Sequence, residues 1–172
     1  MKKIIFTIIC FTFLSCNNLK KNKVDVSFEN KKNEINAFID SWHKSASDAN
    51  YDLYFNGMTS QSVFIGTDAY ENWKIDEFKS FSKPYFDKGK AWSFTSLERN
   101  VYLNFNGDMG WFDELLDTHM GICRGSGVVV LDNGTWKIEH YVLSLTIPND
   151  NVDKVTAINK KMDDEFKSSL KK

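Results

Sequence analysis

Two residues in strand-like segments, Asp113 and His140, have the types and surroundings that acid/base chemistry requires. Asp113 lies between Trp111 and Leu115 in a run that alternates along its length. A carboxylate turned inward among such neighbours loses hydration, which raises its pKa and suits it to act as a general base. Alternation in the last strand-like segment puts Trp136, Ile138, His140, Val142 and Ser144 on one face and Lys137, Glu139, Tyr141 and Leu143 on the other. From the first of these faces His140 is placed to serve as the matching acid or to orient a carbonyl. Arg124, between the two in sequence, offers the competing reading of an ion pair with Asp113. Trp42, Tyr54, Trp73, Trp111, Arg124 and Ser144 complete the set of candidate ligand contacts. Aromatic bodies with polar tips suit mixed ligands, and they serve equally well as core filling.

Other chemistries find no motif. The sequence has no His-Glu-x-x-His, no Gly-x-Ser-x-Gly and no phosphate loop, and Gly125-Ser126-Gly127 is too short to replace one. Histidines 43, 119 and 140 are too scattered to frame a metal site, and His43 and His119 read as surface or loop positions. Neither a metal nor a cofactor is expected. Asp68, beside Tyr70, reads as a helix cap. Cys123 lies in an alternating run and reads as a buried structural thiol. The formal net charge of −1 lacks the basic excess that nucleic-acid binding needs.

The elements that must position these residues begin at Glu34. Ile35, Phe38, Ile39, Trp42 and Ala46 recur at helical spacing and define one apolar face. Tyr51, Tyr54, Phe55 and Met58 mark a second short helix, with Gly57 as its stop. Ser62–Gly66 reads as a brief strand. Trp73, Ile75, Phe78, Phe81 and Phe86 form an amphipathic stretch that Pro84 should break. From Lys90 the period becomes two. A long strand over Trp92–Phe105 slips phase at Thr95-Ser96, where a bulge is expected. Turns at Asn106-Gly107-Asp108 and Asp132-Asn133-Gly134 separate the next strands, and Gly121, Gly125 and Gly127 give room for curvature or close packing. After Pro148 comes a charged helix with Val155, Ile158, Met162, Phe166 and Leu170 on one stripe. Helices first, then a meander of strands, then a helix describe an α+β fold. A curved sheet covered by aromatic-rich helices leaves a hollow at its open end.

The first sixteen residues form a separate unit. Lys2 and Lys3 precede an apolar run from Ile4 to Leu14, interrupted by Thr7 and Thr12. Spanning a bilayer takes about 20 apolar residues, so this run suits a signal segment. Phe13-Leu14-Ser15-Cys16 resembles the bacterial lipobox, with Phe13 in place of its usual leucine. That resemblance implies cleavage before Cys16, diacylglycerol on its sulfur and a membrane-anchored protein of the cell envelope facing away from the cytoplasm. Loss of residues 1–15 leaves 20 Lys+Arg against 23 Asp+Glu, a net −3, and attachment to membranes through charge is not expected. Cys123 is then the one remaining free thiol, which excludes an internal disulfide. The chain thus divides into a signal segment (1–15), a Lys/Asn-rich tether (16–31), a domain (32–150) and a terminal helix (151–172).

Within 32–150 three stretches carry a second resemblance. They are Gly110-Trp111-Phe112-Asp113-Glu114-Leu115-Leu116-Asp117, Arg124-Gly125-Ser126-Gly127-Val128-Val129-Val130-Leu131, and Asn133 through Ser144 with its Trp136-Lys137-Ile138 core. With Phe64-Ile65-Gly66-Thr67-Asp68 and Trp73, their order resembles the SnoaL-like domains of the nuclear transport factor 2-like superfamily. The resemblance implies a cone, a curved antiparallel sheet wrapped around a long N-terminal helix, with a pocket inside and frequent dimerisation through the sheet. Some members are cyclases, isomerases or dehydratases; others bind small molecules or act as assembly modules. Such domains often carry two histidines on the last strand, matching His140 and Val142, and here the second is absent. Three functions follow as expectations: a tethered binder of a small, partly apolar molecule, an isomerase-, cyclase- or dehydratase-type enzyme using Asp113 and His140, and a homodimeric assembly module.

Overall fold

The residues spaced for one helical face do become its shielded face: Ile35, Ile39, Trp42 and Ala46 are all buried. In the computed structural model, which describes residues 15–171, they belong to helix α1, Ser15–Ser47. Residues 1–14, which hold the expected signal segment except for Ser15, lie outside the described residues. The Lys/Asn-rich stretch expected to be a tether is helical, the first part of α1. Extending a helix already nucleated on a packed face fixes one residue per hydrogen bond gained, so no apolar periodicity is needed there.

Helix α2 (Tyr51–Asn56) follows, capped by the Asn50 side chain on the Leu53 amide. Strands β1 (Met58–Ile65) and β2 (Asn72–Lys74) precede helix α3 (Ile75–Asp87). Trp73 thus sits on a short strand rather than on the amphipathic helix. Pro84 does not break α3: it lies near the helix end, where it removes one backbone bond, and Phe86 beyond it is buried and anchors the last turn. The meander then runs through β3 (Thr95–Leu103), β4 (Met109–Thr118), β5 (Gly121–Asp132) and β6 (Thr135–Leu145). A 3₁₀ turn leads into helix α4 (Val152–Ser169).

The six strands form one sheet in the order β2-β1-β6-β5-β4-β3, antiparallel throughout except where β1 runs parallel to β6. Asn133 (φ 50°) and Gly134 (φ 81°) close the β5–β6 hairpin, with positive φ at both central positions as a tight two-residue loop requires. The expected bulge in β3 lies between Ser96 and Glu98.

A second bulge was not foreseen. Val128 pairs with His140 and Val129 with Ile138, so Glu139 is an extra residue in β6. Because side chains alternate, one inserted residue reverses the faces beyond it. Trp136 and Ile138 point inward before the bulge, and Tyr141 and Leu143 point inward after it. In β4 the buried set is Phe112, Glu114 and Leu116, while Trp111, Asp113 and Leu115 take the other face. The core lies between these inner residues and α1, with Trp42 stacked on Tyr54 (4.8 Å) and edge-on to Tyr141 (5.0 Å). Burying such side chains contributes about 1.5–3 kcal/mol each. Helix α4 contributes none of its residues to this core, and Ile158, Met162 and Leu170 stand exposed. No helix of the described residues is long and apolar enough to cross a membrane.

Candidate functional site

Two features occupy the space between sheet and helices: a polar cluster at mid-depth and a cavity at one end. The cluster is centred on Glu114, 1% exposed, which β4 carries inward between Phe112 and Leu116. His43 of α1 reaches its Oε1 at 2.8 Å, and Tyr141 of β6 donates to the same oxygen at 3.0 Å. Arg99 of β3 donates from Nε to Oε2 at 2.9 Å, with Nη2 also 2.9 Å away but not aligned as a hydrogen bond. The Arg99 Nη1 continues to Asp40 (2.8 Å) and to the Asn36 carbonyl (3.2 Å) on α1.

Burial pushes the Glu114 pKa up, but the hydrogen bond and charge of His43, joined by Arg99, outweigh it and hold the carboxyl below its ordinary value. An ionised carboxylate only accepts, so His43 Nε2 carries a proton and donates. Burial, reinforced by Glu114, pushes the Tyr141 phenol well above its usual range. Gly125 makes the cluster possible: a Cβ there would lie 2.3 Å from the Tyr141 hydroxyl and 2.8 Å from Glu114 Oε1. The cluster therefore pins α1 to three strands through one buried carboxylate.

The cavity, about 260 Å³, opens where β1 and β6 end and β3 begins. Phe64, Trp73 and Leu143 line it from the sheet, Phe78, Phe81 and Tyr85 from α3, and Trp92 and Phe94 from the segment between α3 and β3. Gly66, Thr67, Glu71, His119 and Met120 complete the lining. A larger groove of about 750 Å³ is bounded by α4 residues alone and is a feature of that helix's surface. The polar cluster lies one ring behind the cavity: His43 meets Phe94 edge-on at 5.8 Å, and Tyr141 lies 5.5 Å from Phe64.

Against this geometry the expected residues separate. Trp73 lines the cavity. Trp42 and Tyr54 are core: the Trp42 indole donates to the Tyr54 carbonyl at 3.2 Å, and burial pushes the Tyr54 phenol well above its ordinary range. Asp113 is outward, accepting from Asn100 at 3.2 Å, because the inward parity of β4 belongs to Glu114. His140 is outward because of the Glu139 bulge, and opposite it lie Val128 and Val63. Asp113 and His140 share the outer face but stand on strands separated by β5, roughly 10 Å apart at ordinary strand spacing, beyond hydrogen-bond reach. The expected acid/base pair is therefore not assembled in the interior. Arg124 and Ser144 face each other across β5 and β6 on the same outer side, both exposed, and Arg124 makes no ion pair with Asp113. Trp111 is 46% exposed and stacks on Tyr102 at 5.8 Å, also outside. Cys123 is buried, as its run implied. His43 is the reverse case, 6% exposed rather than a surface residue.

His43, Arg99, Glu114 and Tyr141 escaped the reading of the sequence, although signals for two of them were present. His43 follows Ile39 by four and precedes Ala46 by three, which sets it on the apolar stripe of α1. Counting back from the Asn104–Met109 turn puts Arg99 opposite Glu114. Among the described residues no group of three His, Cys, Asp or Glu side chains is placed to hold a metal ion.

Comparison with known proteins completes the picture. The SnoaL-like domain family matches residues 35–148. No curated protein matches the chain. Among solved structures, a candidate dehydratase of the nuclear transport factor 2-like family from Streptomyces avermitilis is similar at a TM-score of 0.60 and 6% identity, over 70% of this chain and 99% of that one. The association domain of the calcium/calmodulin-dependent protein kinase II of C. elegans is similar at 0.58 and 18% identity, over 69% and 98%. A nuclear transport factor 2-like protein from Pseudomonas putida is similar at 0.57 and 13%, over 69% and 89%. At these identities the likeness is one of fold, shared with nuclear transport factor 2-like proteins, while the family match spans most of the chain; the protein belongs to the SnoaL-like domain family.

Proposed function

We propose that this domain, anchored to a bacterial membrane through lipid on Cys16, holds a small, partly apolar molecule in the aromatic cavity without transforming it. The observation that carries the reading is the cavity itself, about 260 Å³ and walled by rings from the sheet, α3 and the connecting segments. Glu114, the carboxylate just behind it, is engaged by His43, Arg99 and Tyr141, which hold its pKa below the ordinary value and make it a poor base toward a ligand. The isomerase-type alternative built on Asp113 and His140 loses its support, since both lie on the outer face.

The direction of α1 is consistent with this arrangement. Lys31 meets Gly107 at the β3–β4 turn, Arg99 meets Asp40, and His43 reaches Phe94, so α1 runs toward the cavity end. Cys16 stands in its first turn, about 22 Å of helix before Lys31. With lipid there, the cavity mouth faces away from the membrane and draws its ligand from the aqueous side. Full-length protein expressed in bacteria should fractionate with membranes and lose that behaviour on Cys16→Ser; an unmodified Cys16 in the intact mass refutes the anchor. Thermal-shift screening with small aromatic and alicyclic compounds should give stabilisation that Trp73→Ala abolishes. Failure of every class to stabilise the wild type refutes the binder.

A second reading rests on the outer face. Tyr102 (45% exposed), Trp111, Val128, His140 and Val63 form one row across β3, β4, β5, β6 and β1, an apolar strip suited to a second copy of the chain. The fold also occurs in a kinase association domain. Sedimentation velocity should show a dimer that Trp111→Glu dissociates; a monomeric wild type removes this reading.

A further inference from the structure

We infer that the cavity selects a small organic cation, an alkylammonium group, over a neutral molecule of the same shape; this rests on the binding reading above and names the ligand class. The charge balance of the lining is one-sided. It holds one carboxylate, Glu71, one histidine, His119, and no Lys or Arg. Among the described residues no cation lies within ion-pairing distance of Glu71, since the ion pairs in the protein are made elsewhere.

Its position is built by the chain. The Glu71 amide donates to the Asp68 carbonyl (2.9 Å), the Gly66 amide donates to the Glu71 carbonyl (2.9 Å), and Glu71 Oε2 accepts from the Asp68 amide (3.2 Å). Gly66 leaves the room: a Cβ there would fall 2.1 Å from Oε2. The carboxylate is thus held at the rim rather than swinging in solvent.

Beneath it stand aromatic rings that line the hollow, among them Trp73, Phe78 and Trp92, near-parallel to one another with Trp73 and Phe78 at 5.6 Å and Phe78 and Trp92 at 5.8 Å. Ring faces carry negative quadrupole potential and attract cations, most strongly where water is excluded, and a fixed carboxylate adds to the same field. A carboxylate or phosphate ligand would meet repulsion from both. A neutral apolar ligand would gain only the area it buries, while a methylated ammonium ion gains that area and the field together. The volume suits a head group of a few carbons around one nitrogen.

The test uses the full chain and two probes of nearly equal shape, choline and its uncharged carbon isostere 3,3-dimethyl-1-butanol, with indole as a third, neutral aromatic probe, all followed by isothermal titration calorimetry. Choline should bind about tenfold more tightly than the isostere, within the range of desolvated cation–aromatic contacts. Glu71→Gln should reduce choline affinity several-fold and leave the isostere unchanged. Since that variant bears on the rim turn, the wild-type ratio at two salt concentrations serves as the independent measurement, with choline alone weakening as salt rises. Equal affinities overturn the cation inference and leave the binder intact. Binding of indole but of neither probe does the same. No binding by any of the three overturns both.

Discussion

Replacing Glu114 by Gln keeps the shape of the side chain while removing the charge on which three residues converge. Whichever way the new amide turns, its NH₂ group meets donors, Arg99 on one side or His43 and Tyr141 on the other. A guanidinium cannot accept, so the amide oxygen must turn to Arg99, which leaves the NH₂ group facing His43 and Tyr141. Arg99, with a side chain 6% exposed, keeps only Asp40 as counter-charge, itself 65% exposed. Removing one partner of a buried ion pair costs about 3–5 kcal/mol, and the retained hydrogen bonds put this case near the lower end, about 3 kcal/mol. For a domain of this size that loss lowers Tm by roughly 6–12 °C. Urea unfolding followed by circular dichroism measures it, with Asp113→Asn as the internal comparison. Asp113 is on the outer face, and Asn retains an acceptor for Asn100, so its loss should stay within about 0.5 kcal/mol. Equal losses for the two variants, or less than about 1 kcal/mol for Glu114→Gln, would refute both the inward parity of β4 and the pinning role of the cluster.

Three further outcomes follow from the same geometry. Acid should narrow the gap between wild type and Glu114→Gln. The folded-state pKa is below the unfolded one, so the carboxylate's contribution is complete above about pH 4.3 and fades as pH falls through the lower value; a gap that widened in acid would contradict the ionised assignment. Gly125→Ala should cost about 1–3 kcal/mol because its methyl lands on the Tyr141 hydroxyl and Glu114, whereas Gly134→Ala meets no atom within 4 Å and should cost about 1–2 kcal/mol through its φ of 81° alone; lowering the first penalty by Tyr141→Phe in a double-mutant cycle separates the two causes. Ending the chain at Ile147 removes α4, which buries none of its residues and touches the domain through the Tyr70–Phe166 edge contact, so Tm should move by no more than about 2 °C; a large drop would show that α4 covers the domain in solution.

The sequence disclosed the elements far better than the faces, and two residues explain why. In β4 both parities are apolar, Trp111 and Leu115 on one and Phe112 and Leu116 on the other, so hydrophobic alternation alone cannot decide which side is buried. What decides is the glycine opposite: Gly125 pairs with Glu114 and Gly127 with Phe112, and only an inner face crowded by a ring and a hydrogen-bonded carboxylate needs that space. In β6 the turn at Asn133-Gly134 fixes the register correctly as far as Ile138, and Glu139 then offsets it. The bulge leaves no mark in local propensity; its cause is tertiary, since Thr59 of the irregular β1 edge donates to Glu139 at 2.6 Å and β1 and β6 shift register at the same place. One inserted residue therefore carried His140 out of the interior and Tyr141 into it. The aromatic cavity was legible in part: Phe78 and Phe81 come from a helix whose amphipathic stretch was plain, whereas Leu143 turns into the cavity only beyond the Glu139 bulge.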